Sequence, residues 1–408
     1  MKIAIISDAF PEYLSVKESF NSPILTLAQG YLDAGHSVIV VTTTSNVGKK
    51  RCEQWENDLI VYRIYKNPFV CKLLRKLISI CNPIAAFQVR AILKKEKPDI
   101  IHAQKLNRYL SYFSLCVISK YAQATYITIH DDMGLRATPE GFRGISIKIF
   151  FNSLLYRRKL MYAADIVFSI IRNCTEGVIV VSEALGTLVK KRGLKNVRVI
   201  YNGINPKHWH FSKETKEIDE QSSKTVLYVG GISSAKGIDL IIKAMERVRK
   251  TLPDVQLHIA GSDNGSGYQL IVEKEARQRG VPVVFLGRIN GIELRTAYAE
   301  SDLVLTFSIT NPFSMVAHEA RAAQVPVVWG SFSSTEEVPP YYRNAGFLSS
   351  LQSVGALSDR IICLLSDLTE RELLLKEQKK LVKDFLLSRQ IEELTLFFQS
   401  SLRKYTDK

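Results

Sequence analysis

Residues 225–245 read TVLYVGGISSAKGIDLIIKAM, and their pattern indicates the class of fold. It opens with β-branched and aromatic residues typical of a buried strand, and it closes with apolar residues at helical spacing. Two glycines and small hydroxylated residues join the two parts, and Lys236 stands where the helix is expected to begin. A strand that turns directly into a helix is the repeating unit of a parallel, doubly wound α/β sheet.

The same alternation continues on both sides of this stretch. Downstream it predicts strands at 257–260, 283–286 and 303–306 and helices at 237–251, 267–279 and 291–299. Upstream it predicts a helix at 23–34 and strands at 3–7, 37–42, 99–102 and 124–129. The polar, charged residues 213–224 interrupt the pattern. We therefore predict two Rossmann-like α/β domains with parallel sheets, an N-terminal one at 1–206 and a C-terminal one at 207–385.

The composition is that of an ordinary globular protein and argues against several classes. The 408 residues are 46% hydrophobic and 23% charged, and no apolar run is long enough for a transmembrane helix. Met1-Lys2 leads directly into a strand-like segment, so we expect a protein that stays in the cytoplasm. The six cysteines form no CxxC pair, which argues against a zinc site and a disulfide framework. We expect them to be reduced and mostly buried.

Nearly all of the net charge of +15 lies in the first half of the chain. Residues 1–200 contain 29 Lys or Arg and 15 Asp or Glu, a net charge of +14 that leaves +1 for the remainder. Two stretches, 72–80 and 143–159, interleave cations with large apolar residues, as a helix at an anionic membrane surface does. A merely solvated basic surface is the alternative, whereas no nucleic-acid-binding motif accompanies the charge. We expect the N-terminal domain to bind an anionic membrane surface, and we expect no nucleic-acid partner.

The loop after the strand at 225–229 has the features of a phosphate site. Gly230 and Gly231 allow the backbone to approach a ligand closely, and a helix N-terminus beside Lys236 favours an anion. A simple glycine-rich turn with a solvent-exposed lysine is the alternative.

A second candidate site follows the strand at 303–306, in the stretch NPFSMVAHEA that begins at Asn311. Asn311-Pro312 would end the strand, and Glu319 would lie two turns into an alanine-rich helix, where a carboxylate suits the paired hydroxyls of a ribose. The alternative is a surface glutamate beside His318 or Arg321. The first-turn amides of this helix would bind an anion, and they belong to Phe313, Ser314, Met315 and Val316.

Ordered segments in both halves carry a family resemblance. The second half contains YVGGISSAKGIDLIIKAM, LHIAGSD, VVFLGRI, YAESDLVLTFS and NPFSMVAHEARAAQVPVV. The first half contains MKIAIISDAFP, LAQGYLDAGHSVIVVT, KPDIIHAQ, TIHDD, VIVVSEAL and VRVIYNGIN. In order and spacing they resemble the donor-side and acceptor-side domains of family 4 glycosyltransferases, over about residues 1–345.

The resemblance implies the GT-B fold, in which two Rossmann-like domains with parallel sheets face a central cleft. It implies that the C-terminal helix, here 386–408, returns to the first domain. It also implies a retaining glycosyltransferase of the hexosyltransferase type that uses a UDP- or GDP-sugar as donor substrate, with no cofactor and no metal. We expect a lipid-linked or polysaccharide acceptor in cell-envelope glycan biosynthesis, such as capsule, O-antigen or exopolysaccharide.

By position, the resemblance assigns roles to single residues. Lys236 would bind the donor's diphosphate, and Glu319, the second acid of the family's E-x7-E motif, would hold the ribose. The amides of 313–316 would face the diphosphate and the donor sugar. His130, in TIHDD, would lie near the reacting carbon of the sugar; a buried histidine bonded to Asp131 or Asp132 is the alternative. His130, Lys236 and Asn311 form the expected catalytic set. The ammonium of Lys236 would stabilise the charge on the leaving diphosphate.

Three positions depart from the family pattern. Asn311 replaces the first Glu of the motif and brings no charge, Gly231 replaces an arginine, and residues 14–19 replace a glycine pair. The open interpretations are an unusual donor, compensation by Arg288 or Lys17, and loss of activity. We expect an active transferase. A catalytically inactive nucleotide-sugar-binding partner subunit of a glycosylation complex is the alternative, and an epimerase of the same architecture is a further one.

Overall fold

The computed structural model describes residues 1–8, 10–11, 22–46, 51–55, 58–66, 81–104, 106, 109–130, 164–209, 223–263, 265–289, 291–308, 314–331, 346–348 and 354–406. These residues form two compact units. The first unit runs from Met1 to Asn202 and again from Gln390 onward, and the second runs from Gly203 to Arg389. The basic stretches 72–80 and 143–159, and the segment 14–19 with Lys17, lie outside the described residues.

The first unit is built on an eight-stranded sheet with the strand order β3-β4-β2-β1-β5-β6-β7-β8. The strands are β1 (Lys2–Ile6), β2 (Ser37–Thr44), β3 (Cys52–Gln54), β4 (Ile60–Tyr65), β5 (Ile100–Ala103), β6 (Ala124–Ile129), β7 (Gly177–Val180) and β8 (Val197–Val199). The described helices are α1 (Pro23–Asp33), α2 (Pro83–Glu96), α3 (Phe113–Ile118), α4 (164–174) and α5 (Glu183–Lys191). Every described strand pair is parallel except β3 with β4, so the predicted parallel sheet has one antiparallel edge strand.

The first βαβ unit shows how local sequence produces this architecture. The side chains from Ile3 to Ile6 are fully buried, as expected for a central parallel strand covered on both faces. Helix α1 begins at Pro23, because proline is well suited to the first helical position, where its missing N–H is not needed. The helix ends before Gly35, whose φ of 78° turns the chain back toward β2.

The second unit contains a six-stranded sheet with the order β11-β10-β9-β12-β13-β14, and its described strand pairs are all parallel. Its strands are β9 (Thr225–Val229), β10 (Gln256–Ala260), β11 (Val283–Gly287), β12 (Leu303–Ser308), β13 (Val327–Ser331) and β14 (Phe347–Leu348). Its helices are α6 (Ile238–Thr251), α7 (Tyr268–Gln278), α8 (Gly291–Glu300), α9 (Met315–Ala322), α10 (Val354–Ser366) and α11 (Leu368–Val382). The strands and helices predicted from apolar periodicity are confirmed, with small shifts at their ends.

Each sheet has a point where its strand order reverses, and this point locates a ligand site. The reversal lies between β1 and β5 in the first unit and between β9 and β12 in the second. Ligands of open α/β sheets bind beyond the carboxyl ends of the strands at such a point, because the two neighbouring loops diverge there. The loops that follow β9 and β12 are therefore the expected ligand-binding loops of the second unit.

The last helix, α12 (Leu387–Thr406), begins in the second unit and continues in the first. Within the second unit, a Cβ on Gly203 would lie 2.5 Å from the Cα of Leu387, so the backbones touch where only glycine fits. Within the first unit, Phe398 is fully buried, and its ring centroid lies 4.6 Å from that of Tyr126. The terminal helix thus supplies part of the core of the first unit.

The cysteines differ from the sequence-based expectation. Of the five in the described residues, Cys52 and Cys81 are exposed, and Cys116, Cys174 and Cys363 are half-buried. The expectation that they are mostly buried was wrong. Cys52 lies on an edge strand and Cys81 precedes a helix, and the other three lie on helices near the protein surface. The sulfurs of Cys116 and Cys174 are 3.4 Å apart, and burial raises the pKa of Cys174 to about 12.

Candidate functional site

The loop after β9 is held in place by the loops beside it. The amides of Gly230 and Ile232 donate to the carbonyls of Ala260 and Ser262, each at 3.0 Å. A Cβ on Gly261 would lie 1.8 Å from the carbonyl oxygen of Gly230, so the two loops meet backbone to backbone. This contact fixes the loop's conformation before any ligand binds, which is the preorganisation that tight binding needs.

Lys236 lies at the end of the turn that leads into α6. Residues Ser234–Lys236 form one turn of 3₁₀ helix, and Gly237 follows with a left-handed φ of 63°. The lysine is half-buried, and burial lowers its pKa, since the charged ammonium loses solvation. The lysine is thus less exposed than the alternative of a solvent-exposed lysine predicted, and its contact with a phosphate stays a prediction. A bound anion would replace the lost solvation and return the pKa toward its usual value.

The glycines at this loop have different surroundings. Gly230 has a φ of 152°, and a Cβ there would lie 2.8 Å from the hydroxyl of Tyr228. That hydroxyl donates to the carbonyl oxygen of Gly231 at 3.1 Å, which braces the loop. A Cβ on Gly231 would meet nothing nearer than the Ser262 carbonyl oxygen at 4.0 Å, and the residue is exposed. Gly231 therefore leaves open space where the family pattern has an arginine.

The second candidate site begins at the N-terminus of α9. This helix begins at Met315, and the Ser314 side chain caps it by accepting a hydrogen bond of 3.3 Å from the Ala317 amide. One first-turn amide is thereby satisfied internally, and the amides of Met315 and Val316 precede it at the helix start. Asn311 and Phe313, predicted to complete this site, lie outside the described residues.

Glu319 is buried one turn into α9, not two, because the helix begins at Met315. Its Oε2 accepts a hydrogen bond of 2.8 Å from the hydroxyl of Tyr298, at the end of α8. Burial raises the pKa of Glu319 to about 7, and the Tyr298 hydrogen bond partly opposes that shift. The ring of Trp209 packs against Tyr298 edge to face, with centroids 5.5 Å apart. The alternative of a surface glutamate was wrong.

The neighbouring residues His318 and Arg321 contact each other, whereas Glu319 accepts its hydrogen bond from Tyr298. Arg321 Nη1 lies 3.1 Å from His318 Nδ1, and the guanidinium carbon lies 3.9 Å above the ring of Trp329. Burial and the nearby Arg321 lower the pKa of His318 well below its usual value, so its ring is neutral. These contacts anchor α9 on the sheet.

In the first unit, His130 lies at the carboxyl end of β6, where the sequence analysis placed a catalytic histidine. Its Nε2 is 2.6 Å from Oε1 of Gln104, which follows β5. The alternative partners Asp131 and Asp132 lie outside the described residues. Because β5 borders the reversal in strand order, Gln104 and His130 occupy the edge at which a ligand is expected.

The structure adds residues that the sequence analysis did not name. Tyr298 hydrogen-bonds to Glu319, and Gln104 hydrogen-bonds to His130. The ring of Trp209 packs against the ring of Tyr298. Gln104 could have been found, because it lies two residues beyond the strand predicted at 99–102. Tyr298 carried no such signal, since an aromatic residue late in a helix is usually a core residue. Arg288, predicted to bind the donor, is exposed just after β11.

Within the described ranges, no group of three or more His, Cys, Asp or Glu side chains is arranged to hold a metal ion. The same part of the chain contains no helix that is both long enough and apolar enough to span a membrane.

Two family models match the chain in succession. Residues 24–208 match the model described as glycosyltransferase family 4, and residues 211–381 match the model described as glycosyl transferases group 1. Over 198 residues the chain is 36% identical to an uncharacterized glycosyltransferase of Methanocaldococcus jannaschii, an alignment that covers 45% of this chain and 48% of that protein. Over 342 residues it is 23% identical to the GPI3 subunit of phosphatidylinositol N-acetylglucosaminyltransferase of Saccharomyces cerevisiae, covering 83% and 70%. The chain spans about half the length of the first of these relatives.

Solved structures share the fold over nearly the full length. Sucrose-phosphate synthase of Thermosynechococcus elongatus superposes with a TM-score of 0.73 at 20% identity and covers 98% of both chains. Anabaena HepE in complex with UDP-glucose superposes with a TM-score of 0.68 at 19% identity, covering 97% of this chain and 99% of that one. The fold of this chain is therefore the GT-B fold of these proteins.

Proposed function

This chain belongs to the family 4 glycosyltransferases, and we propose that it transfers a sugar from a nucleoside-diphosphate donor to an acceptor with retention of the anomeric configuration. One observation carries the proposal. On the two sides of the strand-order reversal in the second unit lie a backbone-fixed loop ending in Lys236 and a helix N-terminus followed by the buried Glu319. These are the groups that a sugar diphosphate and a ribose require.

Each proposed contact has a chemical reason. The ammonium of Lys236 would neutralise charge that develops on the leaving diphosphate as the sugar becomes oxocarbenium-like. The amides of Met315 and Val316, at the positive end of α9, would face the same group. Glu319, with one oxygen held by Tyr298, would accept from the ribose hydroxyls through its remaining acceptor sites. In this proposal a donor phosphate oxygen takes the acceptor's proton, so the chain needs no separate base.

We propose a UDP-sugar as the first donor class to test, with GDP-sugars second. The support is the fold shared with a protein whose structure contains UDP-glucose. The acceptor we propose is lipid-linked or a polysaccharide, in cell-envelope glycan biosynthesis on the cytoplasmic side of a membrane. A relative named for N-acetylglucosaminyl transfer to phosphatidylinositol supports a lipid acceptor.

The exposed side of α2 supports contact with an anionic membrane. On α2, Ile84 and Phe87 are 68% and 55% exposed, and the cations that follow them on the exposed side are Arg90, Lys94, Lys95 and Lys97. Glu96, the acid of this helix, pairs with Lys2 at 2.8 Å and thus adds no uncompensated negative charge. Such a mixture of apolar and basic side chains suits an anionic lipid surface.

Vesicle flotation tests this partner. Wild-type protein is expected to float with vesicles that contain phosphatidylglycerol and to dissociate as salt rises, because the attraction is screened. Lys94→Glu with Lys95→Glu should weaken flotation, whereas the matched reversal of two exposed lysines on α5, Lys190→Glu with Lys191→Glu, should not. Equal flotation with neutral vesicles, or no effect of salt, would rule out the electrostatic partner.

Thermal unfolding in the presence of nucleotides tests the donor site. A panel of UDP, GDP, ADP and their sugars should give one selective stabilisation of wild type, of about 2.7 kcal/mol at a ligand concentration of one hundred Kd. Lys236→Ala and Glu319→Ala should lose the shift, and Lys243→Ala, a lysine on the exposed side of α6, should keep it. No shift with any nucleotide would overturn the proposal.

The second candidate is a nucleotide-sugar-binding subunit without catalysis, and two substitutions favour it. Gly231 leaves the space of an arginine empty, and Asn311 replaces a carboxylate. A transfer assay with membrane extracts as acceptor separates the two functions. Donor consumption that depends on acceptor identifies the enzyme, whereas a nucleotide-induced shift without turnover identifies the binding subunit.

A further inference from the structure

A network of polar side chains crosses the carboxyl edge of the first sheet. His102 and Gln104, from the end of β5, contact Thr128 near the end of β6 and Tyr31 on α1. All four side chains are buried, and the network ends at His130, which is half-buried. Buried polar groups in the low-dielectric interior hold one another in place only when donors and acceptors match. The arrangement of protons in this network is therefore informative.

The distances around Gln104 show where its amide nitrogen points. Gln104 Nε2 lies 2.8 Å from His102 Nε2, 3.4 Å from His102 Nδ1 and 3.3 Å from the hydroxyl oxygen of Thr128, and an amide nitrogen only donates. The hydroxyl of Thr128 approaches His102 Nε2 at 2.7 Å. Burial, with a smaller effect of His130, lowers the pKa of His102 to about 3, so its ring is neutral. Its Nδ1 is 2.9 Å from the hydroxyl oxygen of Tyr31.

The orientation of the Gln104 amide then determines the tautomer of His130. With Nε2 of Gln104 directed at His102, Oε1 of Gln104 faces His130 at 2.6 Å and can only accept. The proton of a neutral His130 must then lie on Nε2, and Nδ1 becomes the only acceptor of that ring. One amide thus links His102 to His130.

We propose that Gln104 is a positioning residue, which fixes the ring plane of His130 and keeps its proton on Nε2. The inference rests on the proposed function insofar as His130 contacts a sugar hydroxyl. A neutral ring with its acceptor at Nδ1 can receive a hydrogen bond from a sugar hydroxyl. An imidazole that rotates or changes tautomer would present a donor to that hydroxyl instead and would lose the contact for part of the time.

Two histidine tautomers give different ring nitrogen shifts in NMR, so the proposal can be tested without turnover. In protein labelled with ¹⁵N-histidine, the His130 signals, identified by their loss in His130→Ala, should show one tautomer protonated on Nε2. In Gln104→Met, which keeps the shape but has no amide, the two nitrogen shifts should move toward each other as the tautomers mix. Unchanged His130 shifts in this variant would overturn the proposal.

A matched control separates a positioning role of Gln104 from the general effect of replacing a buried glutamine. Gln378 in the second unit is equally buried and makes hydrogen bonds of 3.3 and 2.8 Å with the backbone of Val327. Gln378→Met should lower the unfolding temperature and leave the His130 shifts unchanged. If Gln104→Met does not fold, Gln104→Glu retains an acceptor facing His130 but loses the donor facing His102. His130 should then keep its proton on Nε2, with a second proton on Nδ1 where the carboxylate favours the charged ring. A His130 ring without a proton on Nε2 in Gln104→Glu would also overturn the proposal.

Kinetics then connect the tautomer to transfer. For Gln104→Met we expect kcat to fall about tenfold or more with little change in the donor KM, since orientation is needed mainly in the transition state. If wild type transfers sugar and His130→Ala does not, but Gln104→Met keeps full kcat, the positioning role fails and the proposed function stands. If wild type shows no transfer at all, the proposed function fails, and the nitrogen shifts still decide the role of Gln104.

Discussion

The hydroxyl of Tyr298 donates a 2.8 Å hydrogen bond to Oε2 of Glu319, and both side chains are buried. Burial, together with the charge and hydrogen bond of Glu319, raises the pKa of Tyr298 well above its usual value, so the phenol stays protonated and remains a donor. One oxygen of the carboxylate therefore has a fixed partner. This relationship orients a group that the sequence identified only by its position in a motif.

Removing the phenol hydroxyl should weaken nucleotide binding. In Tyr298→Phe the carboxylate loses its fixed donor, and we expect the nucleotide Kd to rise about five- to tenfold, the usual value of one buried hydrogen bond. Isothermal titration of the selected nucleotide measures this. Tyr268→Phe, at the start of α7, is the control and should bind as wild type. Equal affinity in Tyr298→Phe would show that Glu319 is held by other contacts.

The raised pKa of Glu319 predicts that the stability of the second unit depends on pH. The folded carboxyl has a pKa of about 7, above its unfolded value, so its contribution is fully present below the unfolded pKa and is lost as pH rises through 7. The loss is on the order of 3 kcal/mol. Urea unfolding between pH 4.5 and 8 measures it, and Glu319→Gln should flatten this part of the profile. A profile equal to that of wild type would contradict the assignment to Glu319.

The same carboxyl makes donor affinity depend on pH in the opposite direction. An ionised Glu319 accepts from both ribose hydroxyls, and the ionised fraction rises about tenfold between pH 6 and 8 for a pKa near 7. Nucleotide affinity should rise by a similar factor over this range. Glu319→Gln should remove most of the dependence, and the change that remains would report titration of the phosphate groups.

Two glycines of the donor-side loops should respond differently to substitution. Gly261→Ala would place a Cβ 1.8 Å from the Gly230 carbonyl oxygen, so the two loops must separate, and we expect loss of nucleotide binding and a lower unfolding temperature. Gly231→Ala is the matched control, since its Cβ has space, and it should bind as wild type. Normal binding by Gly261→Ala would show that the contact between the loops does not shape the site.

The open space at Gly231 also predicts that an arginine there would increase nucleotide affinity. Gly231→Arg would supply the cation that the family pattern has at this position, and the nearest atom to its Cβ is 4.0 Å away. A charge-assisted contact with the diphosphate should lower the Kd about tenfold. Gly231→Gln, which is long but uncharged, is the control. No gain over Gly231→Gln would mean that the diphosphate does not lie beside this loop.

The terminal helix should contribute to the stability of the first unit as much as a core strand does. Phe398 is fully buried, and its ring lies 5.4 Å from that of His102 and 6.2 Å from that of Tyr31, so Phe398→Ala should cost about 3–5 kcal/mol. Leu396→Ala, on the same helix but 55% exposed, should cost little. Urea unfolding of both variants measures the difference. Similar stabilities would place the helix outside the cooperative unit.

Apolar periodicity predicted the helices and strands well, because a buried parallel strand and an amphipathic helix each require a distinct spacing of apolar side chains. It also predicted that the loops after β9 and β12 carry the candidate site, since these loops follow the carboxyl ends of strands. It did not predict the start of α9 at Met315, which depends on the Ser314 cap, nor the antiparallel pairing of β3. Short edge strands carry too few residues to show a pattern.

The α/β class, the family membership and the motif residues Lys236, Glu319 and His130 could be read from the amino-acid sequence, because they depend on local order and spacing. The strand order, the burial of Glu319 against Tyr298 and the pairing of His130 with Gln104 are visible only in the folded chain. Those relationships join residues that lie 21 and 26 positions apart on different elements. Their protonation and orientation depend on which side chains the fold brings together, and no local pattern specifies that.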